Sequence, residues 1–253
     1  ATRAICEECA RNDRRVRYVR QSVNCGAASN YNAVFEMASG KYFKWAAHDD
    51  ILAPSMLRRC VEVLDSEGPA VVLCYPRAVL IDEQGAEVGW HEDELNVVQP
   101  TPDQRLMHVL RHLGMCNAVF GVIRASALRR TRLIGRYVAS DMVLLAELSL
   151  QGEFRVVPER LFYRRRHQGA SCFANPTPEA RAAWFDPANR GRTVLPLFQH
   201  FVQHWKAVGH SGLDTEARLR CYRAIIAHWL PKWRAIGGEF KRAIKGKLGL
   251  LLP

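Results

Sequence analysis

Two adjacent carboxylates, Asp49 and Asp50, follow a short apolar run in the sequence GKYFKWAAHDDILAP, which spans residues 40–54. Neighbouring carboxylates repel each other and lose solvation on burial, and a divalent cation between them and an anionic ligand relieves both costs. Mg²⁺ or Mn²⁺ held by one or two carboxylates plus substrate phosphates is a common arrangement. Asp is also a favoured helix N-cap. A second interpretation is therefore that one of the two residues caps a helix that begins near Pro54.

The chain around this pair predicts alternating helices and strands, which is typical of α/β proteins. In such sheets ligands gather at the carboxyl ends of strands. We expect a mixed sheet between helices, a Rossmann-like α/β fold. The predicted elements in the first part are a helix at the start of the chain, a strand over 16–20, a helix ending at Gly40, a strand over 41–47, a helix from Pro54 to Gly68 and a buried strand over 70–75.

The second part continues the pattern as far as about residue 175. The predicted elements are a hairpin around Gln84 and Gly85, a helix from near Pro102, a strand over 116–126, a helix capped by Ser140 and closed by Gly152, and two strands over 154–159 and 161–167. We therefore predict one domain over residues 1–175.

Residues 176–253 differ in character and are predicted to form a basic, amphipathic helical extension. A loop over 175–191 precedes helical patterns over 193–209, 214–233 and 238–252. From His200 onward the chain has ten Lys and Arg residues and three Asp and Glu residues, which gives a formal charge of +7. Such helices suit an anionic membrane surface. The open alternatives are a helical lid and a homodimer contact.

Composition narrows the class of protein. The chain has 253 residues, 48% of them apolar and 24% charged, which excludes disordered and fibrous classes. A net charge of +11 favours an anionic partner: nucleic acid, nucleotide phosphates or lipid. No window has the roughly 18 uncharged apolar residues of a membrane span. Scattered cysteines, with only Cys6 and Cys9 close together, predict reduced thiols in a cytoplasmic protein.

Residues 17–64 resemble the family 2 glycosyltransferases, which have the GT-A fold. The shared pattern is Asn-x-Gly, a further Asn, Ala-x-Gly before an aromatic strand, and an acidic cluster followed by Pro. The matching positions are Asn24, Gly26, Asn30, Ala38, Gly40, Tyr42, Asp49, Asp50 and Pro54.

Residues 139–171 resemble the second conserved block of that family, so the likeness covers roughly residues 1–172. It implies that Asp141 is the catalytic base and that Arg164, Arg166 and His167 lie near the sugar diphosphate. It also implies that Asn24, Gly26, Asn30 and Asp49 bind the donor, and that Asp49, Asp50 and His167 hold Mg²⁺ or Mn²⁺.

The residues themselves leave plainer alternatives open. Asp141 could be an ordinary acid in a helix first turn, and the arginine run a solvated strand edge on which Arg165 points away from its neighbours. Gly26 could serve backbone shape alone. Trp45 is predicted to be a core residue rather than an acceptor platform.

Two departures from the family pattern matter. Ala47 stands where many members have the first Asp of Asp-x-Asp-Asp, and His48 takes the variable position. The family also opens with a strand, helix and strand that grip the nucleotide base, and the sequence from Ala1 looks like the helix that follows this unit. The strand with the base-binding carboxylate is thus expected to be missing.

The sequence therefore predicts an inverting, metal-dependent glycosyltransferase that moves a sugar from a nucleotide-diphosphate donor to a glycan or lipid-linked acceptor in cell-envelope or surface polysaccharide synthesis. It would be cytoplasmic, peripheral on the inner face of the membrane. The alternatives are a catalytically inactive relative that serves as a scaffold, and a basic nucleic-acid-binding protein; no nucleic-acid recognition motif supports the second.

Overall fold

A computed structural model describes residues 2–91 and 95–249. The helices are α1 (Thr2–Asn12), α2 (Gly26–Glu36), α3 (Met56–Ser66), α4 (Pro102–His112), α5 (Ala125–Leu128), α6 (Ser140–Gln151), α7 (Ser171–Ala174), α8 (Pro178–Phe185), α9 (Pro196–His210), α10 (Thr215–Trp229) and α11 (Trp233–Gly249). The strands are β1 (Tyr42–Phe43), β2 (Ile51–Leu52), β3 (Val71–Ile81), β4 (Glu87–His91), β5 (Val122–Arg124) and β6 (Glu153–Arg165).

The sheet is mixed and is built around two long central strands. Its order is β1-β5-β3-β6-β2, with β4 paired to β3 as a hairpin. Strands β3 and β6 run parallel, from Val71 opposite Glu153 to Ile81 opposite Arg165, while the other pairs are antiparallel. Parallel central strands are buried on both faces, and β3 is accordingly an almost continuous apolar run.

Helices cover both faces of this sheet. On one face α3 buries Met56, Cys60 and Leu64 against the strands. On the other face α6, in which every residue from Val143 to Leu150 is buried and all but Glu147 and Ser149 are apolar, contacts α4 and α9. A helix buried on all sides needs this composition, because no part of it faces water.

The C-terminal helices share the main core. Ala207 and Val208 of α9, and Cys221, Ile225 and Trp229 of α10, belong to the same apolar cluster as α6. Arg132 adds a polar tie: its Nε donates to Glu147 of α6 at 2.5 Å and its Nη1 donates to Gln203 of α9 at 2.7 Å. The division at residue 175 stays a prediction, and the apolar core continues past it.

Most of the predicted elements are confirmed. These include the opening helix, α2, α3, α4, α6 with Gly152 at its end, the β3–β4 hairpin, and α9 to α11. Residues 250–252 of the last predicted helix lie outside the described residues. Trp45 is buried, as predicted, and its Nε1 donates to the carbonyl of Tyr31. Within residues 2–91 and 95–249, no helix combines the length and apolar character that crossing a bilayer requires.

Two predicted strands are shorter than expected, since 41–47 contains only β1 and 116–126 only β5 beside a 3-10 turn and the start of α5, and four further local predictions are wrong. Residues 16–20 form no strand, and Val16 and Val19 remain exposed. Alternating apolar residues form a strand where one face can be buried, and here neither is. The two predicted strands over 154–167 are one, β6. Residues 175–191 contain α8, whose N-cap Thr177 accepts from the N–H of Ala180. Ser140 is not the cap of α6; Ala139 holds that position with φ 55°, and the Ser140 hydroxyl is buried without a partner in the described structure.

Candidate active site

A cleft of about 1350 Å³ opens beside the end of β6. Its walls come from the start of α2, from the residues between β1 and β2, from the end of β6 and from the α7–α8 segment. The predicted residues that line it are Asn24, Gly26, Asn30, Asp49, Asp50, Arg164 and Arg166. A smaller cavity of about 570 Å³ between α4 and α10 contains none of the predicted site residues.

The acid pair is held by the end of β6. The N–H of Arg165 donates to Asp50 Oδ1 at 2.9 Å, and Nε of Arg165 donates to the carbonyl of Asp49 at 2.9 Å. His167 Nε2 lies 2.8 Å from Asp49 Oδ2. Helix α3 begins after Ser55 without a side-chain cap. The helix-cap interpretation of Asp49 or Asp50 is therefore wrong, because their hydrogen bonds go to β6 and its extension.

The two neighbouring carboxyl groups have opposite pKa shifts. Burial raises the pKa of Asp50, although the N–H of Arg165 opposes the shift. Burial also acts on Asp49, but its hydrogen bond to His167 and the adjacent backbone outweigh that effect and lower its pKa. The charge of Asp49 also raises the pKa of Asp50, because two adjacent carboxylates of like charge do not ionise together as easily as one alone. In the absence of a cation, Asp49 is thus the more readily ionised member.

The three arginines at the end of β6 have different surroundings. Arg164 Nη1 donates to the carbonyl of Met115 at 2.5 Å and to Asn117 Oδ1 at 2.7 Å. Arg165 Nη1 donates to the carbonyls of Asp82 and Glu83, so that its side chain braces the hairpin turn. The Arg166 guanidinium lies 5.9 Å from the ring of Phe173. All three line the cleft.

Asp141 lies behind the cleft wall, in the first turn of α6. It is not among the described residues that line the cleft. Its Oδ1 accepts from the N–H of Met142, and the thiol of Cys116 also donates to its carboxylate. Burial raises its pKa. Cys116, in the left-handed region at φ 60°, stands between the two residues that Arg164 holds, so this loop separates Asp141 from Arg164.

Tyr31 connects the two acidic regions electrostatically. Burial raises its pKa to about 12, and the charges of Asp141, Asp49 and Asp50 add to that effect. The phenol thus stays neutral within the field of all three carboxylates. Lys44, also on the cleft wall, has its pKa lowered by burial to about 8, against the attraction of Asp50.

Tyr31 and Lys44 were missed from the sequence. Tyr31 follows the predicted donor residue Asn30, but helical spacing alone places it equally well in the core. Lys44 lies two residues after Tyr42, and strand alternation places the two side chains on the same face of the predicted strand. This was the sequence signal that could have placed Lys44 at the site. Arg165 is also outside the predicted site, because strand alternation predicts that its side chain points away from those of Arg164 and Arg166.

Gly26 occupies a crowded corner of the cleft. Its φ of +81° lies in the left-handed region, and its N–H donates to Asn24 Oδ1 at 2.9 Å. A Cβ here would lie 2.5 Å from the carbonyl oxygen of Phe185 and 2.8 Å from Cδ of Pro187. The α8 segment therefore packs directly on the start of α2, and only glycine fits the contact.

Sequence comparison assigns the class of protein to which this architecture belongs. Residues 1–131, half of the chain, match the family described as Glycosyl transferase family 2. The chain belongs to this family, and its mixed sheet flanked by helices is GT-A-like. Both predictions are confirmed. The matched region contains the acid pair and ends before Asp141 and the β6 arginines.

Among solved structures, the crystal structure of S. aureus TarS is similar to this chain at 12% sequence identity and a TM-score of 0.46. The similarity covers 92% of this chain and 46% of TarS, so the chain spans less than half of that protein's length. No curated protein sequence matches significantly.

Proposed function

We propose that this chain is an inverting glycosyltransferase that uses a nucleotide-diphosphate sugar and an acceptor hydroxyl, in the synthesis of a cell-envelope or surface polysaccharide. The observation that carries the proposal is the convergence of Asp49 and Asp50 with Arg164 and Arg166 on one cleft, in a chain of this family. Acids that hold a cation and arginines that bind phosphate oxygens are the groups a departing diphosphate requires.

On the donor side, the cleft offers charge of both signs within a small region. Arg164, Arg166 and Lys44 supply positive charge, and the start of α2 presents Asn24 and Asn30 near a helix N-terminus, which favours anions. A sugar diphosphate lying across these groups would place its phosphates between the arginines and the acid pair.

The acid pair fits a divalent cation only with help from the substrate. Within the described part of the chain, no group of three or more His, Cys, Asp or Glu side chains is arranged to hold a metal ion. Two carboxylates nevertheless suit Mg²⁺ or Mn²⁺, because these ions take a few carboxylate oxygens and complete their shell with phosphates and water. Asp49 and Asp50 would hold it, and the bound ion would stabilise charge on the leaving diphosphate.

His167 in this arrangement orients Asp49, because its Nε2 lies on the carboxylate oxygen. Histidine and carboxylate partners of this kind fix the ligands around a metal ion. A direct bond from His167 to the metal stays a prediction.

Asp141 is proposed as the base. The acceptor hydroxyl oxygen bonds to the anomeric carbon, the bond from that carbon to the phosphate oxygen breaks, and the hydroxyl proton passes to Asp141. A single displacement of this kind inverts the anomeric configuration. A carboxyl whose pKa is raised by burial is a better proton acceptor than an exposed one. Movement of residues 115–117 would be needed to open a path to the cleft.

The acceptor side is proposed to be the wall formed by α7 and α8. Phe173 and Trp184 line the cleft there and keep 46% and 37% of their surface exposed. Exposed aromatic faces in a cleft give a sugar ring an apolar surface to pack on. This wall faces the arginines, since Arg166 approaches the Phe173 ring.

The test is ligand-dependent thermal stability. The full chain is heated with a panel of nucleoside diphosphates, with and without Mn²⁺, and compared with Asp50→Asn. A ligand that binds only the native state raises the melting temperature. We expect a shift with one nucleotide that requires Mn²⁺ and disappears in Asp50→Asn. Asp65→Asn is the control, because Asp65 is exposed and pairs with Lys41 outside the cleft.

The outcome also separates the alternatives. No shift with any nucleotide would overturn the proposal and favour an inactive relative. Salt-dependent binding to arbitrary DNA that persists in Asp50→Asn would favour a nucleic-acid-binding protein.

A further inference from the structure

The outer face of the last two helices carries large apolar side chains in solvent. Ile226, Leu230 and Trp233 are 47%, 64% and 60% exposed. Their spacing of four and three residues places them on one side of the nearly continuous helix formed by α10, a single turn over Leu230–Lys232, and α11. These three residues are called the Trp233 face below.

The opposite side of the same helices is firmly packed. Cys221, Ile225 and Trp229 are buried in the main core. Glu239 accepts from the N–H groups of Leu197 and Phe198, so α11 caps the start of α9. The Trp233 face is therefore held outward by its own helices, and its exposure is not a result of loose packing.

The exposed charges on the part of α10 and α11 that carries this face are positive. Between residues 226 and 245 the chain has five Lys and Arg and one acid, Glu239, which is 7% exposed. The Arg234 guanidinium lies 5.4 Å from the Trp233 ring. Lys232 Nζ contacts His228 Nε2 and lies 4.9 Å from the centre of the Trp229 ring. All five of these cations are exposed: Lys232, Arg234, Lys241, Arg242 and Lys245.

We propose that the Trp233 face rests on an anionic lipid bilayer, with Leu230 and Trp233 in the interfacial layer and the flanking Arg234 and Lys241 at the lipid phosphates. Trp at the boundary, aliphatic side chains below it and Lys or Arg beside it are the composition of interfacial helices. Phosphates of anionic lipids supply the charge that the surface lacks.

Charge also decides against the other occupants. A second copy of the chain, docked through the same face, would bring the two sets of cations together, and like charges across an interface are unfavourable. Nucleic acid would meet the cations but gains nothing from Ile226 and Leu230. The face lies on α10 and α11, while the described residues lining the cleft end at Arg190. Lipid binding is therefore independent of donor binding.

The experiment is co-sedimentation of the full chain with vesicles of pure phosphatidylcholine and with vesicles containing 30 mol% phosphatidylglycerol. We expect binding to the anionic vesicles that weakens in high salt and falls at least tenfold in the double variant Leu230→Ser, Trp233→Ser. Arg234→Glu with Lys241→Glu is expected to weaken binding similarly, because it removes charge but leaves the apolar residues.

The matched control is Trp90→Ser. Trp90 on β4 is 63% exposed and has the Arg160 guanidinium 4.7 Å from its ring, so it resembles the Trp233 and Arg234 pair but lies elsewhere. It should bind vesicles like the unchanged chain. Melting curves confirm folding of each variant, and brominated lipid gives a second readout, since quenching of tryptophan fluorescence should diminish in Trp233→Phe.

Equal binding to both vesicle types, or unchanged binding in the double variant, would overturn the proposal. So would light scattering that shows a dimer converted to a monomer by the double variant while vesicle binding persists. Because no donor or metal is added, these results do not depend on whether the chain transfers sugar.

Discussion

His167 Nε2 lies 2.8 Å from Asp49 Oδ2, although the two residues are 118 positions apart in sequence. The ring lies just beyond β6 and the acid just before β2, whose two residues pair with Phe162 and Tyr163 of β6. The acid pair is thus positioned by long-range pairing with the last strand rather than by the helix that follows it.

His167→Ala is expected to weaken Mn²⁺-dependent nucleotide binding about 10–100-fold, the range typical of lost partners of metal ligands. Titration of Mn²⁺ at a fixed nucleotide concentration measures it. His48→Ala is the control, because the His48 side chain is 94% exposed and its Nδ1 lies 4.0 Å from Asp49 Oδ1, beyond hydrogen-bond distance. Equal loss in the two variants would contradict an orienting role for His167.

Asp141→Asn should reduce sugar transfer by at least about 100-fold, the scale of a lost general base. Nucleotide binding should stay within about twofold, because a group that acts on the attacking hydroxyl affects the chemical step rather than binding of the donor. Release of nucleoside diphosphate from the donor measures the rate. Asp103→Asn, also an acid in a helix first turn, should leave the rate unchanged.

The pH profile gives a second measure of Asp141. The base must be ionised to accept a proton, so kcat should rise with pH through its pKa. Since burial raises that pKa, the acidic limb should lie above the ordinary Asp range. A limb at the ordinary value would exclude Asp141 as the group observed.

Gly26→Ala should lower the free energy of unfolding by roughly 2–4 kcal/mol, because left-handed strain of about 1–2 kcal/mol adds to an overpacked contact. Gly191→Ala separates the two causes: Gly191 has φ +71° and open space at its Cβ position, so it tests strain alone. Denaturant unfolding measures both. A Gly191→Ala cost as large as that of Gly26→Ala would argue against the contact with α8.

His204 should make the fold sensitive to acid. It is 5% exposed in the core between α9 and α10, and burial lowers its pKa to about 3. The unfolded state takes up a proton near pH 6.5 and the folded state does not. The stability that the neutral His204 ring contributes is therefore fully present above pH 6.5 and is lost as the pH falls toward 3. At 1.36 kcal/mol per pH unit, the loss at pH 5 is about 2 kcal/mol.

The matched variant is His204→Phe, which removes the titrating ring. Its stability should depend less on pH between 7 and 5 than that of the unchanged chain. His228, with a pKa lowered to about 4 by burial, contributes in the same direction in both proteins and cancels in the comparison. Parallel stability curves would contradict the assignment to His204.

The sequence predicted α3, α4, α9 and α10 because their apolar spacing matches the faces they bury, and it missed the shorter α8. Short edge strands were harder, because β1 and β2 have two residues each and owe their existence to β5 and β6. The acid pair could be predicted because its two carboxylates are adjacent in sequence and the motif residues around it lie at fixed spacings within residues 24–54. The Arg164 contacts with Met115 and Asn117 were not, since residues 47 and more positions apart in sequence meet only in the fold.

The 13-residue strand β6 joins the core to the cleft in one rigid piece. It buries Phe154 at one end, carries Arg164 and Arg165 at the other, and is paired with β3 along the way. A one-residue slip would exchange its two faces and uncover its apolar side chains. Under the proposed function, donor preference would therefore change when side chains at the tip of the strand are exchanged, but not by lengthening or sliding the strand itself.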